Sequence, residues 1–188
     1  MIEEILNLDQ RVFIFLNNLG TESWDPFWIF ISNKFWMFFL LAPIILFYNF
    51  YNHGKQGIYV ICMLLLCFFL TDLVHVHLFK NVFMRLRPCW DPEISSFARI
   101  VVAKGGLYSF VSGHAANSAA IVSFFLLSSK HIHKLIQIAL IIWVLIVSYS
   151  RIYLGKHYPL DVIFGIVLGV SIAFLIFKIT FYIKNIKK

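Results

Sequence analysis

Arg151, His157 and Asp161 stand together at a short break between two apolar runs, residues 135–147 and 162–177. The guanidinium can neutralise an anion. His157 and Asp161 are four residues apart, and Pro159 between them suits the first turn of a new helix. That spacing lets the carboxylate reach one imidazole nitrogen and leaves the other free. An oriented imidazole beside a fixed cation is equipment for phosphoryl transfer.

Two further clusters carry similar chemistry. Lys80, Arg87 and Pro88 close an apolar segment that begins near Gly57. Residues seven apart lie on nearly one helix face, so Lys80 and Arg87 are expected to point the same way, with Pro88 as a boundary. Ser112, Gly113 and His114 open the next apolar segment. Small residues at a helix start leave free N–H groups at its positive end, which cradle an anion. Ser112 adds a hydroxyl, and Gly113 lets a ligand approach the backbone.

Taken singly, each cluster has a plainer reading. Lys80, Arg85 and Arg87 could snorkel to lipid headgroups. Ser112 could be an ordinary helix cap, and Asp161 and Arg151 a capping carboxylate and an interfacial charge. His114 fits the plain reading less well, because a helix start needs no imidazole. Asp72 and His75 lack a second strong pair of metal ligands; with His77 they read as buried polar groups lining a helix bundle. No metal or other cofactor is expected.

The elements that must position these residues are membrane helices. Of 188 residues, 61% are hydrophobic and 13% charged, with 21 Phe and a mean hydropathy of +0.83. A soluble domain of this size could not hide that surface. The expectation is an all-α, polytopic membrane bundle of five transmembrane helices plus an N-terminal amphipathic helix, forming a single domain over residues 1–188. Residues 2–19 follow a roughly i, i+3, i+4 apolar pattern that Asp9 interrupts, ended by Gly20, and would lie in the interface or against the bundle. No cleavable signal peptide is expected there, since Glu3, Glu4 and Asp9 replace a basic start. The spans are expected at about 27–50, 57–79 (continuing as helix to Arg85), 112–129, 133–153 and 159–183, each near the ~20 residues that a ~30 Å hydrocarbon core requires. Trp24, Trp28 and Trp36 mark an interfacial entry. Cys62, Cys67 and Cys89 suggest no disulfide framework.

In this topology all three clusters fall at one face of the membrane. The opposite side carries Lys55, Lys130, Lys134, Lys178, Lys184, Lys187 and Lys188 and no acidic residue. That side is assigned to the cytoplasm, which puts the site on the external or periplasmic face of a bacterial inner membrane with the C-terminus inside.

Lys80-x6-Arg87-Pro88, Ser112-Gly113-His114 and Ser150-Arg151-x5-His157-x3-Asp161 together resemble the three-part signature of the type 2 phosphatidic acid phosphatase superfamily. The resemblance covers residues 57–175, with Val111 where the family usually has proline. It implies a metal-independent lipid phosphatase. His157 would be the nucleophile, becoming a phosphohistidine, and Asp161 would fix its tautomer. His114 would protonate the leaving group and then activate water. Lys80, Arg87 and Arg151, with the Ser112 hydroxyl and Gly113 N–H, would hold the phosphate. The substrate would be a phosphorylated membrane lipid, foremost undecaprenyl diphosphate, with lipid A 1-phosphate and phosphatidylglycerophosphate as alternatives. Arg85, Arg99 and Lys104 would suit a second phosphate or an acidic headgroup, while Trp90 and Phe97 would anchor their loop. A lipid phosphotransferase or a non-enzymatic lipid-binding or transport protein stays open, and no nucleic acid or obligatory protein partner is implied.

Overall fold

The computed structural model describes residues 1–129 and 132–186. Lys130, His131, Lys187 and Lys188 lie outside the described residues, and with them three lysines of the orientation argument. Regular structure among the described residues is helical apart from an isolated bridge between Leu86 and Tyr108. The helices are α1 (Ile2–Asn18), α2 (Asp25–Ser32), α3 (Lys34–His53), α4 (Gly57–Val74), α5 (Asn81–Phe83), α6 (Gly113–Ser128), α7 (Lys134–Tyr153) and α8 (Pro159–Ile186). Among the described residues three stretches, Lys34–Phe83, Lys134–Tyr153 and Pro159–Thr180, are long and apolar enough to cross a membrane, and the apolar α6 is shorter.

The helix boundaries follow local chemistry. The span expected at 27–50 is two helices, because the Asn33 side chain accepts the Phe35 N–H (2.9 Å) and starts a new helix there. The helix expected to run on to Arg85 passes through a π-helical turn at His75–Lys80 and stops after Phe83, where Met84 is left-handed (φ 44°). Lys80 and Arg87 therefore do not stack along one helix. With the helix ended at Met84, Arg87 lies beside the Leu86–Tyr108 bridge, and its N–H bonds to the Leu107 carbonyl (3.0 Å).

α6 is the axis of the bundle. Ten of its residues, from Ala115 to Phe125, are buried, and α4, α7 and α8 pack around it. Large apolar side chains on α3, α4, α7 and α8 face outward, as a lipid-facing surface does. The α6–α8 contact depends on small residues. A Cβ on Gly165 would stand 2.7 Å from the Ser112 carbonyl, and one on Gly169 would strike the Ala116 carbonyl and the Ala120 nitrogen (2.9 Å). Two backbones meet where ordinary side chains would hold them apart.

α1 packs against the bundle by burying Asp9, Phe13 and Asn17. Asn17 is fully buried and donates to the Ile152 (3.0 Å) and Tyr153 (2.9 Å) carbonyls while accepting the Arg99 N–H (2.6 Å). Arg99 in turn pairs with Asp25 (2.5 Å), so the loop between α5 and α6 is tied to both N-terminal helices. Gly169→Val is expected to cost at least about 1–3 kcal/mol by overpacking, read as a lower melting temperature in detergent; an unchanged melting temperature would show that the α6–α8 approach is not needed.

Candidate active site

The end of α4–α5, the start of α6, the end of α7 and the start of α8 meet at one end of the bundle. A cavity of about 210 Å³ opens there, lined by Lys80, Arg87, Gly113, His114, Arg151 and His157 among the residues singled out in the sequence. Lys34, Met37, Phe68, Asp72, His75 and Asn117 complete its wall.

The chain reaches this geometry through the turn after α7. Gly155 takes a positive φ of 73°, and the N–H groups of Lys156 (2.9 Å) and His157 (3.2 Å) fold back onto the Arg151 carbonyl. The Lys156 ammonium donates to the Ala103 and Lys104 carbonyls (2.8 Å to the latter), pinning the α5–α6 loop over the turn. His157 is thereby held almost fully buried at the head of α8.

Asp161 is fully buried behind His157. Its Oδ1 accepts from Arg85 (3.1 Å) and its Oδ2 from the Tyr158 N–H (2.8 Å). Oδ2 stands 3.6 Å from His157 Nδ1, which has no hydrogen-bond partner among the described residues. Carboxylate and imidazole are neighbours, but the closer bonds of Asp161 go elsewhere. Burial pushes the His157 imidazole well below its ordinary value, and the charges of Arg151, Arg87 and Lys80 push the same way. Both effects favour the neutral ring, which has a lone pair available.

His114 Nε2 lies 3.1 Å from the Ser32 carbonyl. A carbonyl can only accept, so that nitrogen carries a proton. The Ser32 hydroxyl receives the buried Arg151 guanidinium. Arg87 is fixed by its Nε–H to the Tyr108 carbonyl (3.1 Å), and burial lowers its pKa from the ordinary arginine value. Gly113 faces the cavity, yet the space a Cβ would fill is occupied by His75, whose Nε2 would be 2.6 Å away. Ser112 lies off the cavity wall. Among the described residues its hydroxyl is buried without a partner and makes no side-chain cap; its N–H bonds to the Asp161 carbonyl (2.8 Å).

Several sequence expectations change. Arg85 and Arg99 do not reach toward a ligand, because Asp9 with Asp161 and Asp25 respectively hold them. Lys104 lies over the Trp90 ring (4.6 Å). Asp72 is half-exposed to the cavity and accepts from Asn117 (3.1 Å), while His77 is exposed and not buried. Ser32 and Lys34 were missed. The polar triplet Ser32-Asn33-Lys34 inside an apolar run was the available signal, and reading that run as one continuous span passed over it.

Residues 56–185 match the PAP2 superfamily. The chain belongs to the PAP2 superfamily. This PAP2 protein is 30% identical over 188 residues to a lipid A 4'-phosphatase of Porphyromonas gingivalis, covering 98% of this chain and 78% of the relative. It is 47% identical over 68 residues to an undecaprenyl-diphosphatase of Sulfolobus acidocaldarius, covering 36% of this chain and 32% of that one. Its fold is similar to the crystal structure of a transmembrane PAP2-type phosphatidylglycerolphosphate phosphatase from Bacillus subtilis, with a TM-score of 0.72 and 22% identity over 96% of this chain and 88% of that one. The chain is an integral membrane protein.

A neutral His157 gives a direct test. In 15N NMR of detergent-solubilised protein its ring is expected to titrate below the ordinary histidine value of 6.5. A midpoint at or above that value would contradict the electrostatics described.

Proposed function

We propose that this chain, a lipid phosphate hydrolase of the PAP2 superfamily, removes a phosphate monoester from a lipid A-type glycolipid. The observation that carries the reading is the cavity itself: Lys34, Lys80, Arg87 and Arg151 surround His157 and His114 with one half-exposed carboxylate, Asp72, in the wall. Such a site holds one phosphate through its cations. A second phosphate would meet Asp72 without the help of Arg85 or Arg99, whereas a sugar hydroxyl would find an acceptor there. The length of the match to the lipid A 4'-phosphatase supports the same choice, and the short match to the undecaprenyl-diphosphatase gives that substrate less support.

In this mechanism His157 Nε2 attacks phosphorus as the bond to the leaving lipid oxygen breaks, and His114, as the doubly protonated imidazolium, gives one proton to that oxygen and becomes the neutral ring. The phosphohistidine carries its imidazolium charge beside Asp161. His114, now a base, takes a proton from water, which attacks phosphorus and releases His157 and inorganic phosphate. The arginines and lysines hold the equatorial oxygens throughout, and Gly113 offers its N–H at the positive end of α6. Ser112 supports this wall from behind through its backbone. α3, α4, α6, α7 and α8 would make five crossings, with α1 outside them and the Lys55 and Lys178 end in the cytoplasm.

Two measurements check this reading. Purified protein with chelator present is expected to release phosphate faster from lipid A than from undecaprenyl diphosphate or phosphatidylglycerophosphate, and His157→Ala to lose activity by roughly 10³-fold or more. Preference for undecaprenyl diphosphate would overturn the substrate, and label passing to an acceptor lipid would overturn hydrolysis. For orientation, Glu93→Cys in a Cys-free background is expected to react with an impermeant maleimide in right-side-out vesicles; labelling only after permeabilisation would reverse the topology.

A further inference from the structure

Asp9 is the residue that breaks the apolar pattern of α1, and it is one of the most buried charges in the chain, with 4% of its surface exposed. Its Oδ2 accepts from Arg85 Nη2 at 2.7 Å, and its Oδ1 accepts the Leu160 N–H at 2.9 Å, in the first turn of α8. Arg85 gives its other terminal nitrogen, Nη1, to Asp161 Oδ1 at 3.1 Å. The guanidinium also lies 3.9 Å over the Tyr158 ring. One arginine thus spans two buried carboxylates, one from α1 and one from the site. Neither end of this bridge lines the cavity.

The arrangement has a consequence for Asp161. A carboxylate with no exposed surface stays ionised only if its oxygens are satisfied. Arg85 takes one oxygen and the Tyr158 N–H takes the other, which fixes the plane of the group and leaves Oδ2 turned toward His157 Nδ1. Asp9 adds a second ion pair to the Asp161 bond and the Tyr158 ring contact, which removes rotamer freedom that a long side chain would otherwise keep. Its own position is set by the Leu160 N–H, so anchor and target sit on the same turn of α8.

We infer that Asp9 and Arg85 are positioning residues that orient Asp161 behind the nucleophile, making α1 a working part of the catalytic site. The inference rests on the reading in which Asp161 orients His157. Asp161, paired with Arg85, lies directly behind a cavity whose wall is net positive, with Oδ2 facing the imidazolium that forms when His157 is phosphorylated. Because neither Asp9 nor Arg85 touches the substrate, the loss of either lowers turnover and leaves substrate affinity in place.

The test compares kcat and KM for lipid phosphate release in Asp9→Asn, Arg85→Lys, Asp161→Asn and the Asp9→Asn/Asp161→Asn double variant, with melting temperatures alongside. Asp9→Asn keeps the oxygen that accepts the Leu160 N–H, and Arg85→Lys keeps the charge while losing one of the two bonds. Each is expected to lower kcat by roughly 10- to 100-fold with little change in KM. In the Asp161→Asn background, Asp9→Asn is expected to cause no further loss. An equal loss in both backgrounds, or a loss that follows only the melting temperature, would make Asp9 a mere anchor for α1 and overturn the proposal. Full kcat in both Asp9→Asn and Arg85→Lys, with Asp161→Asn impaired, would overturn it too. Full kcat in Asp161→Asn would instead sink the underlying role of Asp161. Should Asp9→Asn fail to fold, Arg85→Lys alone decides by the same split between kcat and KM.

Discussion

Like charges gathered in one cavity need a frame that does not relax. Lys34, Lys80, Arg87 and Arg151 line the same space, and among the described residues Asp72 is the one carboxylate in its wall. Two like unit charges roughly 4–8 Å apart repel by roughly 2–4 kcal/mol at an effective dielectric near 20. Side chains free to move would turn away from one another. Here Arg151 is held by the Ser32 hydroxyl and Arg87 by the Tyr108 carbonyl, so the repulsion stays in place until an anion relieves it. A phosphoryl group supplies that anion, and its transition state does so with charge spread over the oxygens that the cations face.

The frame is built in layers. Innermost is the close approach of α6 and α8 at Gly165 and Gly169, which brings His114, on α6, near His157 and Asp161 at the head of α8. Around it, the turn after α7 folds onto the Arg151 carbonyl, and Lys156 fastens the α5–α6 loop over that turn. Outermost, α1 closes the polar end of the bundle, with Asn17 bonded to the end of α7 and Asp9 to the start of α8. Most of these links join polar side chains to backbone carbonyls or N–H groups left over at helix ends. Helix termini leave such groups unpaired, and at this end of the bundle buried side chains satisfy many of them.

The helical class, the N-terminal helix and the starts of the last three helices were legible because apolar runs and helix-start residues are local signals. The gathering of Lys80, Arg87, Gly113, His114, Arg151 and His157 was legible from topology, since alternate helix ends must share a side. What escaped is non-local or breaks a pattern only slightly. Asn33 divides an apolar run that composition reads as continuous, and with that division Ser32 and Lys34 reach the site. Met84 ends the helix in a left-handed conformation where no glycine announces a stop. Arg85 and Arg99 looked like free cations because their carboxylate partners, Asp9, Asp161 and Asp25, lie 74–76 residues away in sequence. Spacing along the chain carries no record of such pairs.

The central claim is that a neutral, buried His157 takes the phosphoryl group itself. Rapid acid-free quenching of the parent protein within its first turnover of 32P-labelled lipid, with His157→Ala alongside, tests it most directly, because the phosphoryl group must sit on the chain before phosphate is released. The account predicts a label that survives alkali, is lost in acid and maps to His157. Label on any other residue, or no phosphoenzyme while phosphate is still released, would contradict it.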